Sequence, residues 1–352
     1  MSRRIDPPAR LVRLGVAVLG VAVLGMALFT GCSSDLVDPS PPTIVPARAA
    51  ESPPVTATPA GVVLPLAGPA QAAVFDAGTD SLAVLGGDAG DQAVITVFSA
   101  TGDPVPVRLD GTASAMAGDD EGRLFLSTKG GYFQFDIASG AATRIGVEGH
   151  DGVDFTAIAR RSDGKLVLGS ADGAVYTLAS DTTVGAQLKI FARVDSIVTQ
   201  GNTAVVLDRG QTSVTSLNAE GTKSNQALRA GQGATTMATD RAGRVLVADT
   251  RGGELLVYGV DPLILRQRFP VPDSPYGLVA SDTPTALAWV AQTATNTVVG
   301  YDLSTGIPVE KVRYPTVQQP NSLAFDDASE TLYVVSGAGA GVQVITPAGA
   351  PK

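Results

Sequence analysis

The residue types that most often do chemistry in proteins are scarce in this sequence of 352 residues. The only histidine, His150, lies in the stretch VEGHDG, and the only cysteine is Cys32. A zinc ion needs several His, Cys or carboxylate ligands held together, and a nucleophilic serine needs a base beside it. His150 is therefore predicted to be an exposed connector, and the sequence assigns no catalytic residue, no metal ligand and no cofactor.

Cys32 suits a different chemistry. Residues 1–13 hold four arginines and one aspartate, and an uncharged apolar stretch follows from Leu14 to Phe29. This order is typical of a secretory signal peptide, and the apolar stretch is short for a membrane span. The residues LFTGC resemble the lipobox of bacterial lipoproteins, in which the cysteine carries a diacylglycerol thioether. We predict a signal peptide over 1–31 and a lipid on Cys32, the alternative being an unmodified buried cysteine.

The segment after Cys32 is rich in proline. Seven prolines occur between Cys32 and Ala60, separated mainly by Ser, Thr and Ala. Such a composition cannot bury enough apolar surface to fold, so residues 32–60 are predicted to form a disordered, semi-rigid spacer. The lipid and the spacer together would hold the rest of the chain at the extracytoplasmic face of the plasma membrane.

A unit of about forty residues recurs seven times after this segment. The stretch VADTRGGELLVYGVD, from Val247, shows the pattern of the unit: an apolar strand, a turn with two glycines, and a second apolar strand. Such a hairpin is barely stable alone, and an array of about forty-residue units predicts a repeat architecture. The residues that open the first strand of each hairpin are Leu82, Leu124, Leu166, Ala204, Val245, Ala288 and Leu332.

Each unit contains two further strands. A short strand of small apolar residues precedes every hairpin, as in FTAIARR, and a more charged strand such as PVEKVRY follows most of them. Four strands that radiate from a crowded axis to solvent need this order of side chains, which is that of a β-propeller blade. The sequence therefore predicts an all-β, seven-bladed β-propeller.

The two ends of the array indicate how the ring closes. The seventh unit runs out at Lys352 without its charged strand, whereas Val62 to Leu66 form an extra strand ahead of the first unit. If this strand pairs with the last blade, no unpaired strand edge remains where the two ends of the chain meet. We predict one domain over residues 61–349, closed by the N-terminal strand, with residues 350–352 as a tail.

Charge restricts the partners. The formal net charge is −9, and without residues 1–31 it becomes −12. This argues against nucleic acid as a partner. Acidic turns around Asp119, Asp163, Asp240 and Asp326 join first and second strands and should gather on one face; tight turns explain them better than calcium binding. A monomer is expected.

The opposite face is predicted to carry the working surface. Loops between second and third strands share this face with the loops that enter each first strand, and their charges are mixed. Arg209 and Arg251 are the expected anchors, because guanidinium groups are enriched at interfaces. The predicted binding rim comprises Lys129, Asp154, Asp172, Asp195, Arg209, Asp249, Arg251, Gln292 and Asn321.

Two resemblances add to this interpretation. PNSLAFDDASETLYVVSG resembles the YVTN and NHL types of propeller repeat, and most of residues 30–350 resemble the LppL family of mycobacterial and actinobacterial propeller lipoproteins. The second resemblance implies an exported, lipid-anchored propeller, and that family supplies no catalytic residues.

Three functions remain open at this stage. A non-catalytic binding or scaffold module at the cell envelope is the leading hypothesis, with the membrane bound through Cys32 and an envelope protein or ligand as partner. A receptor for a small ligand in the central channel is the first alternative. The second is a metal-dependent lactonase or hydrolase, for which Asp154, Asp195 and Asn321 stand at a suitable place but without the Glu that such propellers use.

Overall fold

The computed structural model describes residues 41–87, 92–99, 102–283 and 286–349, so the predicted signal peptide and Cys32 lie outside the described residues. Within these ranges the backbone forms 28 strands and seven four-stranded antiparallel sheets. The same ranges contain no helix long and apolar enough to cross a membrane. The strands are β1 (Val62–Leu64), β2 (Ala70–Asp76), β3 (Ser81–Gly87), β4 (Ala93–Ser99), β5 (Val105–Arg108), β6 (Met116–Gly118), β7 (Arg123–Thr128), β8 (Gly131–Asp136), β9 (Ala142–Gly146), β10 (Phe155–Arg160), β11 (Leu166–Ser170), β12 (Ala174–Leu178), β13 (Val184–Lys189), β14 (Ser196–Gln200), β15 (Thr203–Asp208), β16 (Ser213–Leu217), β17 (Ser224–Arg229), β18 (Ala234–Thr239), β19 (Arg244–Asp249), β20 (Glu254–Val260), β21 (Leu263–Pro270), β22 (Pro275–Ala280), β23 (Leu287–Gln292), β24 (Thr297–Asp302), β25 (Val309–Pro315), β26 (Pro320–Asp326), β27 (Thr331–Ser336) and β28 (Val342–Ile345).

The sheets are the blades of a closed ring. Blade one is β2 to β5, each following blade takes the next four strands, and blade seven is β26 to β28 together with β1. The first strand of every blade lies against the first strand of the next, and contacts between β2 and β26 close the ring. The seven-bladed β-propeller predicted from the repeat is confirmed, and all seven hairpin-opening residues lie in second strands.

The side chains of each strand follow its distance from the axis. Second and third strands such as β11 and β12 are buried along their whole length, whereas the outermost strand β17 is almost entirely exposed. Neighbouring blades pack through these middle strands: Leu85 and Ile95 of blade one share a buried cluster with Leu124 and Phe133 of blade two. The hydrophobic core is therefore a set of contacts between blades, repeated around the ring.

The N-terminal strand completes blade seven. β1 pairs antiparallel with β28, with Val62 opposite Val344 and Leu64 opposite Val342. Leu64 and Leu66 pack against a buried cluster formed by blades seven and one. The predicted closure is confirmed, but the strand ends at Leu64 because Pro65 has no N–H to donate to a further ladder bond.

The proline-rich segment departs from the prediction. Residues 41–60 have no regular secondary structure, as expected, but they are not a free spacer. Ile44 donates its main-chain N–H to the carbonyl of Gly210 at 2.8 Å, and Ala60 donates to that of Pro315 at 3.1 Å. We call residues 41–60 the strap, because they run over blades four to seven before entering β1.

Candidate functional site

The ring has two faces that differ in the loops they carry. In an antiparallel blade, the turn between second and third strands and the connection into the next first strand lie at one end, and the turn between first and second strands lies at the other. We call the first the upper face and the second the lower face. The strap contacts loops of both upper-face kinds, including Gly210 in the turn between β15 and β16 and Ser274 in the connection to β22.

Two arginines hold the first half of the strap. Nη2 of Arg209 donates to the carbonyl of Ala47, and Nη2 of Arg251 donates to the carbonyl of Val45 at 2.7 Å. Nη1 of Arg251 also donates to the carbonyl of Gln232 at 3.2 Å, which orients the guanidinium group. The two residues predicted as anchors do bind polypeptide, but the polypeptide is the protein's own N-terminal segment.

Amide side chains of blades six and seven hold the second half. Gln319 accepts the N–H of Ser52 at 2.9 Å through Oε1 and donates to the carbonyl of Ala50 at 3.0 Å through Nε2. Gln318 donates to the carbonyl of Ser52 at 3.1 Å, and Asn296 donates to that of Pro53 at 2.8 Å. These side chains therefore bind the strap mainly through its main-chain atoms.

Two small strap residues fill the closest approaches to the ring. Ala47 and Ser52 are each 5% exposed, and the Ser52 hydroxyl donates to the carbonyl of Thr293 at 2.5 Å. A Cβ atom added to Gly233 would lie 2.8 Å from the Cβ atom of Ala47 and equally close to that of Arg251. Gly233 is therefore required for the strap to lie this close. The strap residues between these two positions are more exposed.

Two of the predicted rim residues, Asp249 and Gln292, are buried in the structure. The carboxylate of Asp249 is fully buried and accepts main-chain N–H groups from Gln232, Gly233 and Gly252 at 2.7 to 3.0 Å. Gln292 is also fully buried and donates to the carbonyl of Pro272 at 2.9 Å. Both side chains therefore direct their polar atoms at loop backbone and not at solvent.

The remaining rim residues lie on the upper face of several blades. Lys129 and Asp154 are exposed, and their backbones form an isolated antiparallel bridge between blades two and three. Asp172 is exposed, and its carboxylate forms an ion pair with Lys189, whose Nζ donates to Oδ2 at 2.7 Å. Asn321 is partly buried, and its Oδ1 accepts a hydrogen bond from Gln319 at 3.0 Å.

Asp195 lies beneath the arginine part of this site. Its carboxylate accepts the main-chain N–H of Arg209 at 2.8 Å and lies 3.3 Å from Nε of Arg193. Burial raises the pKa of Asp195, and this outweighs the lowering effect of the N–H and of the two arginine charges. The folded state therefore binds this proton more tightly than the unfolded state does.

The raised pKa of Asp195 predicts that the Asp195→Asn substitution changes stability in a pH-dependent way. A carboxyl group whose pKa is raised on folding stabilises the folded state fully at pH values below its usual pKa of 3.8. This stabilisation is lost as the pH rises through the pKa of the group in the folded protein. The amide of the Asp195→Asn variant removes the cost of burying a charge. The melting temperature of the variant should therefore exceed that of the wild type near neutral pH and equal it in acid. Thermal melts across this pH range measure the difference.

Asp172→Asn is the control of opposite sign. Hydrogen bonds from Lys189 and Ser170 lower the pKa of Asp172, so its stabilising contribution is present at neutral pH and lost in acid. The amide should therefore lower the melting temperature slightly near neutral pH, since this pair is exposed and screened. A destabilised Asp195→Asn at neutral pH would contradict the burial argument.

In the part of the chain that the structure describes, metal-ligating side chains do not gather into a cluster. That part contains no group of three or more His, Cys, Asp or Glu side chains that could hold a metal ion. Asp154, Asp195 and Asn321 come from three different blades, three, four and seven. Nδ1 of His150 lies 2.7 Å from the carbonyl oxygen of Glu148, to which an N–H at that position donates, and the imidazole ring stands edge-on to Tyr176 at 4.9 Å.

Comparisons with known proteins bear on the fold. No family model and no curated protein matches the sequence. A chain of the mitotic checkpoint complex superposes with a TM-score of 0.69 at 13% identity, over 86% of this chain and 99% of that chain. A chain of hydrazine synthase from Kuenenia stuttgartiensis does so with a TM-score of 0.63 at 14% identity, over 82% and 99%.

Streptogramin B lyase is a third structural neighbour, with a TM-score of 0.64 at 10% identity over 81% of this chain and 96% of that chain. These neighbours bear unrelated descriptions, and identities this low show a common fold alone. The class of the protein is that of the seven-bladed β-propellers.

Proposed function

We propose that this protein is a lipid-anchored, extracytoplasmic propeller that acts as a non-catalytic binding module at the cell envelope. The observation that carries this proposal is the convergence of side chains from four blades on an extended segment of polypeptide. Arg209, Arg251, Asn296, Gln318 and Gln319 all direct hydrogen-bond donors at main-chain carbonyls. A rigid ring whose loops bind polypeptide backbone is suited to hold a protein partner.

The sequence supports export and anchoring. The positive N-terminus, the apolar stretch and the residues LFTGC supply the signal and the acceptor cysteine, and the LppL-like organisation of the chain points the same way. Lipid on Cys32 would attach the protein to the membrane, because several acyl chains on one residue give stable anchoring.

Replacement of Cys32 by Ser tests the anchor. The variant lacks the thiol that accepts the lipid and leaves residues 61–349 unaltered, so the protein is expected to move from the membrane fraction to the soluble extracytoplasmic fraction with an unchanged melting temperature. Fractionation of intact cells followed by immunodetection measures this. Full retention of the Ser variant in the membrane fraction would contradict lipid anchoring.

Photo-crosslinking in intact cells tests the binding module. A photoreactive amino acid at the exposed upper-face position Lys129 is expected to form adducts with an envelope component. The matched position on the lower face is Glu121, which is also exposed and lies in a turn between first and second strands. Adducts from Glu121 alone, or from neither position, would contradict an upper-face binding module.

A further inference from the structure

The strap shows what kind of ligand the upper face accepts. Between Ile44 and Pro53 its hydrogen bonds to the ring use the main-chain N–H groups of Ile44, Ala50 and Ser52 and carbonyls from Val45 to Pro53, and the Ser52 hydroxyl adds one side-chain bond. Its prolines, including Pro46, Pro53 and Pro54, have no main-chain N–H, and the hydrogen bonds to the ring need none at these positions. An extended chain that contains proline meets these requirements without losing a bond.

We propose that the upper face of blades four to seven is a binding groove for an extended, proline- and alanine-rich polypeptide of another protein, which exchanges with the strap. The groove is defined by Arg209, Gly233, Arg251, Ser274, Asn296, Gln318 and Gln319. The proposal rests on the proposed binding function and adds to it the chemical class of the partner.

The groove selects by size at two points. Ala47 and Ser52 are the only residues of strap positions 44–53 that are buried, and each has a small side chain. Because Gly233 lies directly beneath Ala47, a larger side chain at the equivalent ligand position would not fit. Elsewhere recognition goes through the backbone and tolerates most side chains, as in other modes of extended-peptide recognition.

The strap is held in a way that permits exchange. Val45 is 80% exposed, and Ile44 and Val55 are 37% and 41% exposed. Segments with few buried apolar contacts open at low free-energy cost compared with global unfolding. The strap competes with an external segment only through the effective concentration that its covalent link provides, which is in the millimolar range for short flexible links.

A synthetic peptide tests the groove directly. The probe is a fluorescent peptide with the sequence of residues 41–56, and the protein is the chain from Ser33 onward. In the protein, Ala47→Trp with Ser52→Trp should unseat the strap and leave every groove residue unchanged. This variant is expected to bind the peptide at least about tenfold more tightly than the wild type, because the competing strap is removed.

Matched variants show whether binding uses the groove. In the strap variant, Arg209→Ala with Arg251→Ala, or Gly233→Val, should each abolish binding, whereas Lys129→Ala on the same face should not. A peptide that carries the Ala47→Trp change should not bind either. Fluorescence anisotropy gives the dissociation constants, and thermal melts confirm that each variant is folded.

Four outcomes would contradict the proposed groove. A folded strap variant with no affinity for the peptide is the first, and equal binding by the arginine or Gly233 variants is the second. If the strap variant does not fold, photoreactive peptide is applied in excess to the wild type, and no adduct on blades four to seven is the third. A dimer of the wild type formed through exchanged straps is the fourth, because a second copy of this chain and not another protein would then occupy the groove. A partner crosslinked through Lys129 would survive all these results, so failure of the groove is distinguishable from failure of the proposed function.

Discussion

A chain that begins at Gly68 is expected to melt roughly 10–20 °C below a chain that begins at Thr58, which corresponds to a loss of about 5 kcal/mol. The shorter chain lacks β1, so blade seven loses its outermost strand and the main-chain edge of β28 is exposed. It also loses Leu64 and Leu66, which pack on the cluster that joins blades seven and one. An uncovered strand edge further promotes association between molecules.

A third chain that begins at Pro41 separates the strand from the strap. Removing strap residues 41–57, by starting at Thr58, should cost about 1–3 kcal/mol, because their hydrogen bonds each contribute modestly and ordering the segment opposes them. The melting temperatures should therefore fall in the order Pro41, Thr58, Gly68, measured by differential scanning calorimetry. Equal melting temperatures for the Thr58 and Gly68 chains would refute the closure as a source of stability.

Asp249→Ala is expected to destabilise the protein by about 3–5 kcal/mol, since three main-chain N–H groups, one buried and two partly buried, lose their acceptor. The carboxylate ties the connection between blades four and five, through Gln232 and Gly233, to the turn after β19, through Gly252. The same connection forms part of the groove, so the variant should also release the strap. Denaturant unfolding measures the first effect, and hydrogen exchange at Ile44 measures the second.

Asp154→Ala is the matched control for Asp249→Ala. Asp154 is an upper-face aspartate like Asp249, but it is exposed and takes part in its bridge to Lys129 through the backbone. Its removal should change stability by no more than about 0.5 kcal/mol. Similar losses for both variants would mean that the buried hydrogen bonds of Asp249 do not stabilise this region.

A feature of the sequence indicates that Asp249 is buried. A polar residue ends the second strand in several blades, and Ser170, Asp208, Gln292 and Ser336 occupy this position elsewhere. All four are buried, and Asp208 accepts main-chain N–H groups of Ala192 and Arg193 just as Asp249 does for its own connection. A polar residue that recurs at one register of a repeat indicates a structural role, so the sequence pattern itself favours burial at these positions.

No such feature of the sequence indicates the position of the strap. Proline and small residues indicate a segment that cannot form its own core, and that part of the interpretation holds for residues 41–60. What binds the segment is a set of single hydrogen bonds to residues more than 150 positions away, such as Ala47 to Arg209 and Ser52 to Gln319. Such pairs leave no periodicity in the chain.

The sequence by itself determined the number of blades, the order of strands within each blade and the closure by β1, because these depend on hydrophobic patterns that repeat locally about every forty residues. Only the tertiary structure decided which upper-face side chains are exposed. Closing the ring brings the connections of four blades beside one another, and their unpaired donors then bind an extended segment that lies far away in sequence. For Arg209 and Arg251 the sequence predicts a binding role. In the folded ring both guanidinium groups donate hydrogen bonds to carbonyls of the strap.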